Sequence, residues 1–312
     1  MNHLILYIGL PGSGKSTHAE ETARLLREDG RNVRIFSSDA IREEIYGDAN
    51  IVGNAGEVFG LMENRLFSHF SNDPDSVAIY DATNLSAKGR KGLIERIRHK
   101  FVCFFECRFV ACRLSECKRR QYTRDRKVPE EVIERMVRSF QAPYYNEGWD
   151  EIHIEIGGPL YDMREEHLNA WSVEHDNPHH TLSIGKHMAA ARDAAVGDMN
   201  TVTAAYHHDI GKPHVKSFTN MKGEVTYDAH FYSHEAVGSY MWLSSHDAQL
   251  LDSEDATLIG FLIQWHMMPY FIVPKGEVCT KARFEEWGIK HRLSQENINQ
   301  LWAIHEADEA AH

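Results

Sequence analysis

Long hydrophobic runs are missing from this sequence. The most apolar stretches, residues 4–10 and 101–105, have the length of a β-strand, whereas a membrane helix needs roughly 20 apolar residues. Cysteine is also scarce, with five in 312 residues, which excludes a disulfide framework. The first residues lack the charged segment and the cleavage site of a secretory signal peptide. We therefore expect a cytoplasmic protein without a membrane anchor.

Charge and histidine are unevenly distributed over a chain whose net charge is −12. Residues 1–156 hold 23 basic and 24 acidic side chains, whereas residues 157–312 hold 11 and 22. Fifteen of the 20 histidines lie in the second half. An acidic, histidine-rich half suits a metal site, whereas eight basic residues between positions 108 and 127 suit contact with phosphate.

The pattern of apolar residues divides the chain in two. Five short β-type runs alternate with amphipathic segments in the first half, which predicts an α/β domain with a parallel sheet. After Gly157-Gly158-Pro159 helix-like segments dominate, so we predict an all-α second domain with the boundary at this break. The predicted domains are residues 1–158 and 159–312. A loop is expected over residues 212–228, with a short hairpin at Lys222-Gly223.

A phosphate-binding motif follows the first predicted strand. Residues 9–16 match G-x-x-x-x-G-K-[ST], whose glycines let backbone N–H groups converge on phosphate oxygens at a helix N-terminus. Lys15 is placed to reach the β and γ phosphates, and the Ser16 hydroxyl to bind Mg²⁺. The motif predicts an ATP and Mg²⁺ site made of Gly9, Gly12, Ser13, Gly14, Lys15, Ser16 and Thr17.

Two aspartates stand where the second and third predicted strands end, at the edge where parallel sheets bind ligands. Asp39 and Arg42 are one helical turn apart, so they could supply a base and a cation for a hydroxyl acceptor that carries a phosphate. Asp39 could instead cap the helix. Asp81 is similar to the carboxylate that supports Mg²⁺ in such sites, or it caps the following turn.

A basic segment, residues 118–129, is the third element. An arginine-rich helical segment can close over a nucleotide and stabilise charge on the transferred phosphoryl group. The alternative is a solvated basic helix face.

Together, these segments resemble the 5′-hydroxyl polynucleotide kinase domains of end-healing enzymes. The resemblance covers about residues 1–156 and rests on the phosphate-binding motif and on residues 38–42, 81–85 and 119–129. It implies an α/β P-loop kinase domain with a helical lid, in which Asp39 is the general base and Arg42 holds the acceptor's 3′ phosphate. It also implies that the lid contacts come from Arg120, Arg124 and Arg126.

The second half carries spaced histidines and aspartates on separate predicted helices, a pattern that suits a metal site in a helical bundle. These segments resemble the HD phosphohydrolase superfamily over about residues 165–312. The resemblance implies one or two ions of Mn, Fe, Ni or Zn, with Asp209 bridging in the two-ion case. It implies that the ligands are His187, His208, Asp209, His234, His266 and Asp308.

Three further residues of this half are candidates for phosphate binding or acid chemistry: His179, His180 and Lys212. His207 is interpreted as a neighbour of the site and not as a ligand. Cysteines 103, 107, 112 and 117 contain no C-x-x-C pair, so core thiols are favoured over a zinc site.

Both resemblances together imply a bifunctional enzyme that heals broken RNA or DNA ends. It would phosphorylate 5′-hydroxyl ends with ATP and would remove 3′ phosphate or open 2′,3′-cyclic phosphate, and a ligase would act downstream. One alternative is a small-molecule or nucleotide kinase fused to an HD nucleotide phosphohydrolase. A second is an ATP-driven signalling or toxin-type module whose HD half binds a nucleotide, and an oxygenase reaction of the metal site is a third. The acidic second half argues against tight binding of duplexes.

Overall fold

A computed structural model describes residues 1–178 and 181–311 of the chain. The chain forms two compact units. Unit 1 combines Met1–Val137 with Glu147–Leu160, and unit 2 combines Arg138–Asn146 with the chain from Tyr161 onward. The chain thus enters the second unit twice, which the sequence pattern does not indicate. The functional domain ranges 1–158 and 159–312 stay predictions.

Unit 1 is built on a five-stranded parallel sheet, as the sequence predicts. Its strands pair in the order β2-β3-β1-β4-β5, so that β1 is central. The central strand is apolar and almost wholly buried, which suits a sheet covered on both faces. The five strands are β1 (Asn2–Ile8), β2 (Val33–Ser37), β3 (Val77–Asp81), β4 (Cys103–Ala111) and β5 (Glu151–Ile156).

Helices follow the strands of unit 1, and the core lies between α1 and the sheet. Ala19 and Ala23 of α1 pack against Tyr7, Ile79 and their neighbours. Two short 3₁₀ turns, Arg120–Tyr122 and Tyr145–Glu147, complete the helical elements. The α-helices are α1 (Lys15–Glu28), α2 (Ser38–Tyr46), α3 (Ala55–Asn72), α4 (Ala87–Arg98), α5 (Leu114–Arg119) and α6 (Glu130–Arg138).

Strand β4 continues to Ala111, well beyond the apolar stretch of residues 101–105. A charged residue is accommodated within the strand because it is paired: Arg108 contacts Glu106 and, at 2.8 Å, Glu155 on β5. The cysteines are free, and all but Cys103 are buried.

Unit 2 is mainly helical, as the sequence predicts, and its described residues also include an antiparallel hairpin formed by β6 and β7. The hairpin turns at Lys222-Gly223, where a hairpin was expected, whereas residues 212–215 are helical instead of a loop. The elements are α7 (Met163–Trp171), α8 (Ile184–Ala194), α9 (Met199–His207), α10 (Lys212–Val215), β6 (Ser217–Thr219), β7 (Val225–His230), α11 (His234–Leu243), α12 (Ser253–Trp265), α13 (Met268–Phe271), α14 (Lys281–Lys290) and α15 (Gln295–Ala310), with a 3₁₀ turn at Ala248–Leu250.

The segment 138–146 is held in unit 2 by both apolar and polar contacts. The Phe140 and Tyr240 rings meet edge to face at 5.3 Å, and Tyr144 stacks on Phe261 at 4.3 Å. The Gln264 amide bonds to the backbone of Phe140 and Ala142.

Among the described residues, no helix combines the length and the apolar character that a membrane span requires.

Candidate active sites

The phosphate-binding loop connects β1 to α1 as the motif predicts. Gly12 and Gly14 have φ values of 88° and 107°, which favour glycine. A Cβ on Gly12 would also lie 2.6 Å from the carbonyl oxygen of Cys117. Lys15 is buried and donates to the carbonyl of Leu10 at 2.9 Å. Burial lowers the pKa of Lys15, although the nearby Asp81 carboxylate opposes this shift.

Ser16 and Asp81 meet across the sheet edge. The Ser16 hydroxyl donates to Oδ2 of Asp81 at 2.8 Å, and Asp81 is the last residue of β3, which pairs directly with β1. The two side chains that were expected to support Mg²⁺ are therefore adjacent. Hydroxyl and carboxylate oxygens are the ligands that Mg²⁺ prefers.

Asp39 occupies the first turn of α2, whose N-cap is Ser37. The alternative that Asp39 caps the helix is therefore wrong. Its Oδ1 atom instead lies 3.0 Å from Nη1 of Arg42 and also contacts Arg126 from the basic segment. Arg42 has a side chain that is 12% exposed, and burial, followed by the neighbouring Arg126, lowers its pKa. One carboxylate thus lies between two cations.

The basic segment is helical only in part. Helix α5 ends at Arg119 and a 3₁₀ turn continues to Tyr122, whereas residues 123–129 have no regular structure. The predicted helical lid is therefore wrong for the part that holds Arg124 and Arg126. Arg120, which is predicted to contact ATP, donates to the carbonyls of Gly12 and Gly157 at 3.0 and 2.9 Å, so it braces the phosphate-binding loop.

The Gly157-Gly158 segment, which was predicted to be a domain boundary, packs directly against the phosphate-binding loop. Gly157 donates to the carbonyl of Ala111, and a Cβ at Gly157 would lie 2.0 Å from the carbonyl oxygen of Ser13. A Cβ at Gly158 would lie 2.7 Å from Cys112 Sγ. Side chains are excluded here because the chain passes so close to the loop.

A cavity of about 1120 Å³ contains this site. Arg124 and Arg135 line it without forming a hydrogen bond or ion pair to any residue that the structure describes. Arg135 was missed by the sequence analysis, because it lies on α6 beyond the basic segment. Seven basic residues line the cavity, against the two carboxylates of Asp39 and Asp81: Lys15, Arg42, Arg120, Arg124, Arg126, Lys127 and Arg135.

In unit 2 the structure brings together all six residues that were predicted to bind metal. They come from α8, the α9–α10 connection, the start of α11, the end of α12 and α15, and their side chains are almost completely buried. The ligand atoms of His187, His208 and Asp308 lie within 4.8 Å of one another, as do those of His208, Asp209 and His266. Asp209 Oδ1 lies 3.1 Å from Nε2 of His234.

The imidazoles of this cluster point their Nε2 atoms at one another. Nε2 of His187 lies 3.2 Å from Nε2 of His208, and Nε2 of His234 lies 3.3 Å from Nε2 of His266. The Nδ1 atoms of His208, His234 and His266 lie 2.6–2.8 Å from backbone carbonyls. A neutral imidazole that donates through Nδ1 keeps its lone pair on Nε2. Where two such lone pairs face each other they repel, and a proton or a metal ion between them relieves the repulsion.

Charges within the cluster act strongly on one another. Burial opposes protonation of His208, but Asp209 and Asp308 outweigh it and raise the pKa of His208 to about 10. Burial would raise the pKa of Asp209, yet His208 and Lys212 hold it well below its usual range. Burial and the neighbouring His208 and His234 lower the pKa of His266 to about 3. Four imidazoles and two carboxylates are a donor set that fits a transition-metal ion.

Lys212, predicted to act in catalysis, is held by its neighbours. Its Nζ atom lies 2.6 Å from Asp209 Oδ2 and 3.3 Å from Nε2 of His175, above the ring of Phe231. Burial, followed by the Lys212 charge, lowers the pKa of His175 to about 4, which leaves this imidazole neutral. The sequence analysis missed His175 and chose His179 and His180, which lie outside the described residues.

Two further side chains surround the cluster. His207 bonds through Nδ1 to the carbonyl of Thr203 and packs against Trp242, so it belongs to the core, as expected for a neighbour of the site. Tyr270, which the sequence did not single out, lies with its hydroxyl oxygen 3.1 Å from Oδ2 of Asp308.

Comparison with known proteins gives partial matches. A family model described as an AAA domain matches residues 4–143. This range includes the phosphate-binding loop but none of the six residues that were predicted to bind metal. The protein KTI12 homolog of Xenopus laevis is 25% identical over 169 residues, covering 52% of this chain and 56% of that protein. The chain therefore spans about half the length of this curated relative.

Three solved structures are similar to part of this chain. A chain of a Pnkp1/Rnl/Hen1 complex is 23% identical, covers 40% of this chain and 43% of that chain, and has a TM-score of 0.32. The Mycobacterium tuberculosis APS kinase CysC with AMPPNP and APS is 20% identical over 53% of this chain and 92% of that chain, with a TM-score of 0.34. A gluconokinase from Sinorhizobium meliloti 1021 is 16% identical over 50% and 84%, with a TM-score of 0.34.

With TM-scores below 0.5, these likenesses carry no weight for the reaction. Unit 1 has a P-loop nucleotide-binding fold, as its parallel sheet, its loop and the AAA-domain match together show.

Proposed function

We propose that this chain is a bifunctional enzyme that heals nucleic-acid ends. Unit 1 transfers the γ phosphate of ATP to a 5′-hydroxyl group, and unit 2 removes a 3′ phosphate or opens a 2′,3′-cyclic phosphate. RNA ends are the substrate class we favour, and a ligase is the enzyme expected to use the products. The observation that carries the hydrolase half is the cluster of facing imidazole Nε2 atoms around Asp209.

The kinase half is supported by the position of Asp39 in the same cavity as Lys15 and Ser16. A carboxylate at this place can accept the proton of an acceptor hydroxyl as the phosphoryl group is transferred. Arg42, one turn away, forms an ion pair with Asp39 and can bind a phosphate on the acceptor. Arg124 and Arg126 line the same cavity and can stabilise charge on the transferred group.

The surplus of basic side chains favours a phosphorylated acceptor. Lys15 and the loop N–H groups suffice for the phosphates of ATP. Further cations in the cavity, Arg42 and Arg135 among them, remain for the phosphates of a second polyanion. A nucleic-acid end meets this requirement, whereas an uncharged sugar does not.

Unit 2 offers two adjacent sets of ligands. One ion would be held by His187, His208 and Asp308, and a second by His234 and His266, with Asp209 shared between them. When bound, such ions supply the Lewis acidity that activates water for attack on phosphorus. Lys212 keeps Asp209 in place by an ion pair.

One incubation tests both activities. The purified protein is given ATP labelled at the γ position and an RNA oligonucleotide with a 5′-hydroxyl and a 3′ phosphate, and both ends are scored. We expect label at the 5′ end and loss of the 3′ phosphate. Parallel reactions contain a matched DNA strand and a nucleoside 3′-monophosphate. Transfer to the nucleoside alone would contradict the polynucleotide substrate, and an intact 3′ phosphate with every added metal would contradict the hydrolase.

A further inference from the structure

Tyr270 contacts Asp308, one of the six residues that were predicted to bind metal. It lies on α13, four residues after His266, and its hydroxyl reaches α15. The hydroxyl oxygen is 3.1 Å from Oδ2 of Asp308 and 2.5 Å from Oε1 of Glu309. The phenol ring is fixed by His305, whose ring it meets edge to face at 5.0 Å, so the direction of the hydroxyl is restricted.

The two carboxylate oxygens of Asp308 have different surroundings. Oδ1 faces the imidazoles, at 2.9 Å from Nε2 of His187 and 3.4 Å from Nε2 of His208. Oδ2 faces Tyr270. A carboxylate whose oxygens are divided in this way presents one oxygen to an ion while the other is held by a hydrogen-bond donor. Such outer contacts orient a ligand and raise metal affinity about 10- to 100-fold.

We propose that Tyr270 is a positioning residue that holds Asp308 so that Oδ1 alone faces the metal site. The inference rests on the metal-dependent hydrolase proposed above and adds to it a residue outside the ligand set. Without the hydroxyl, the carboxylate of Asp308 can rotate about its side-chain bonds, and the site loses a ligand of fixed direction.

The test uses Co(II) alone as the probe on the full-length, metal-stripped protein. Affinity is measured by titration, and the visible absorption of bound Co(II) reports the ligand geometry. We expect Tyr270→Phe to weaken Co(II) binding about tenfold or more and to change the absorption band. The matched control is Tyr144→Phe, because Tyr144 also bonds to a side chain of α15, Asn297, away from the cluster. This control should bind Co(II) as the wild type does.

A double-mutant cycle separates positioning from a general loss of structure. If Tyr270 acts through Asp308, Tyr270→Phe should change Co(II) affinity less than about twofold in an Asp308→Asn background. An equal loss in both backgrounds would overturn the inference. So would a Tyr270→Phe protein with the affinity and spectrum of the wild type. A wild type that binds no Co(II) would instead overturn the hydrolase proposal itself, and this inference with it.

Discussion

Arg42 Nη1 lies 3.0 Å from Oδ1 of Asp39, one turn away on α2. The carboxylate is therefore fixed by an ion pair, and Asp39 lines the cavity that contains Lys15. This pair is the basis of the assignment of Asp39 as the base.

We expect Asp39→Asn to lower 5′ phosphorylation about 10²- to 10⁴-fold, because the variant keeps the shape of the side chain but cannot accept the proton. Hydrolysis of a 3′ phosphate should be unchanged. End-labelling rates measure the first effect. Glu43→Gln, on the exposed face of the same helix, is the control. A near-normal rate for Asp39→Asn would remove the residue from the mechanism.

Arg124→Ala and Arg126→Ala should each lower the kinase rate about 100-fold, because each removes a cation that, in the proposed reaction, stabilises charge on the transferred phosphoryl group. The free energy of unfolding should change little, since partly exposed arginines contribute little to stability. Arg119→Ala is the control, because Arg119 is 67% exposed and pairs with Glu116 on its own helix. If both lid variants unfold more easily, the two arginines serve structure and not catalysis.

His234→Ala and His266→Ala should lower the metal content of the purified protein from two ions toward one and suppress 3′ hydrolysis. His208→Ala and Asp209→Ala should remove both ions, because these residues contact both sets of ligands. Metal analysis decides the outcome, with the exposed His246→Ala as the control. An unchanged single ion in the first two variants would mean a one-metal site. Kinase activity should persist throughout.

Gly157→Ala should weaken ATP binding, because the added methyl group would lie 2.0 Å from the Ser13 carbonyl and must displace the phosphate-binding loop. Overpacking of this kind costs about 1–3 kcal/mol. Gly60→Ala is the matched control, since no atom lies within 4 Å of its added Cβ. Calorimetric titration with ATP compares the two. Equal affinities would show that the loop adapts at no cost.

His167 should make unfolding of the protein sensitive to acid. Burial, followed by His207, lowers its pKa to about 3, and its ring stacks on Tyr206 at 3.9 Å. The unfolded chain takes up a proton near the ordinary pKa of about 6.5, whereas the folded chain does not until near pH 3. The contribution of His167 to the free energy of unfolding is therefore fully present above pH 6.5 and falls as the pH drops toward 3.

The measurement is urea unfolding at about pH 7.5 and about pH 5.5, where one such histidine costs about 1 kcal/mol. Between these two pH values, the free energy of unfolding of His167→Leu should fall by about 1 kcal/mol less than that of the wild type. His246→Leu, at an exposed position, should behave as the wild type does. An identical pH dependence in all three proteins would mean that His167 is protonated in the folded state.

The parallel sheet and the phosphate-binding loop could be predicted because their signals are local. Apolar runs of strand length recur at regular spacing, and the loop motif is contiguous. The convergence of His187 and Asp308, 121 residues apart, could not be read from spacing and depended on a family resemblance. The structure brings these residues together, whereas their role as ligands remains a prediction.

Other parts of the site leave no pattern in the sequence. His175 and Tyr270 matter because of what they contact, Lys212 and Asp308, and both contacts are non-local. Helix α7 has no clear amphipathic signal in the sequence, because its buried face includes Glu166 and His167 while Leu168 is exposed.

The double entry of the chain into unit 2 has a consequence for synthesis on the ribosome. Residues 138–146 leave the ribosome before β5 does. Gln264, which binds the backbone of Ala142, follows Ala142 by 122 residues. Phe140 and Tyr144 are therefore exposed to solvent on the nascent chain while β5 completes the sheet of unit 1. Exposed aromatic side chains in a partly made chain favour aggregation. Nascent chains that stall between β5 and α12 should be the species that depends most on chaperones.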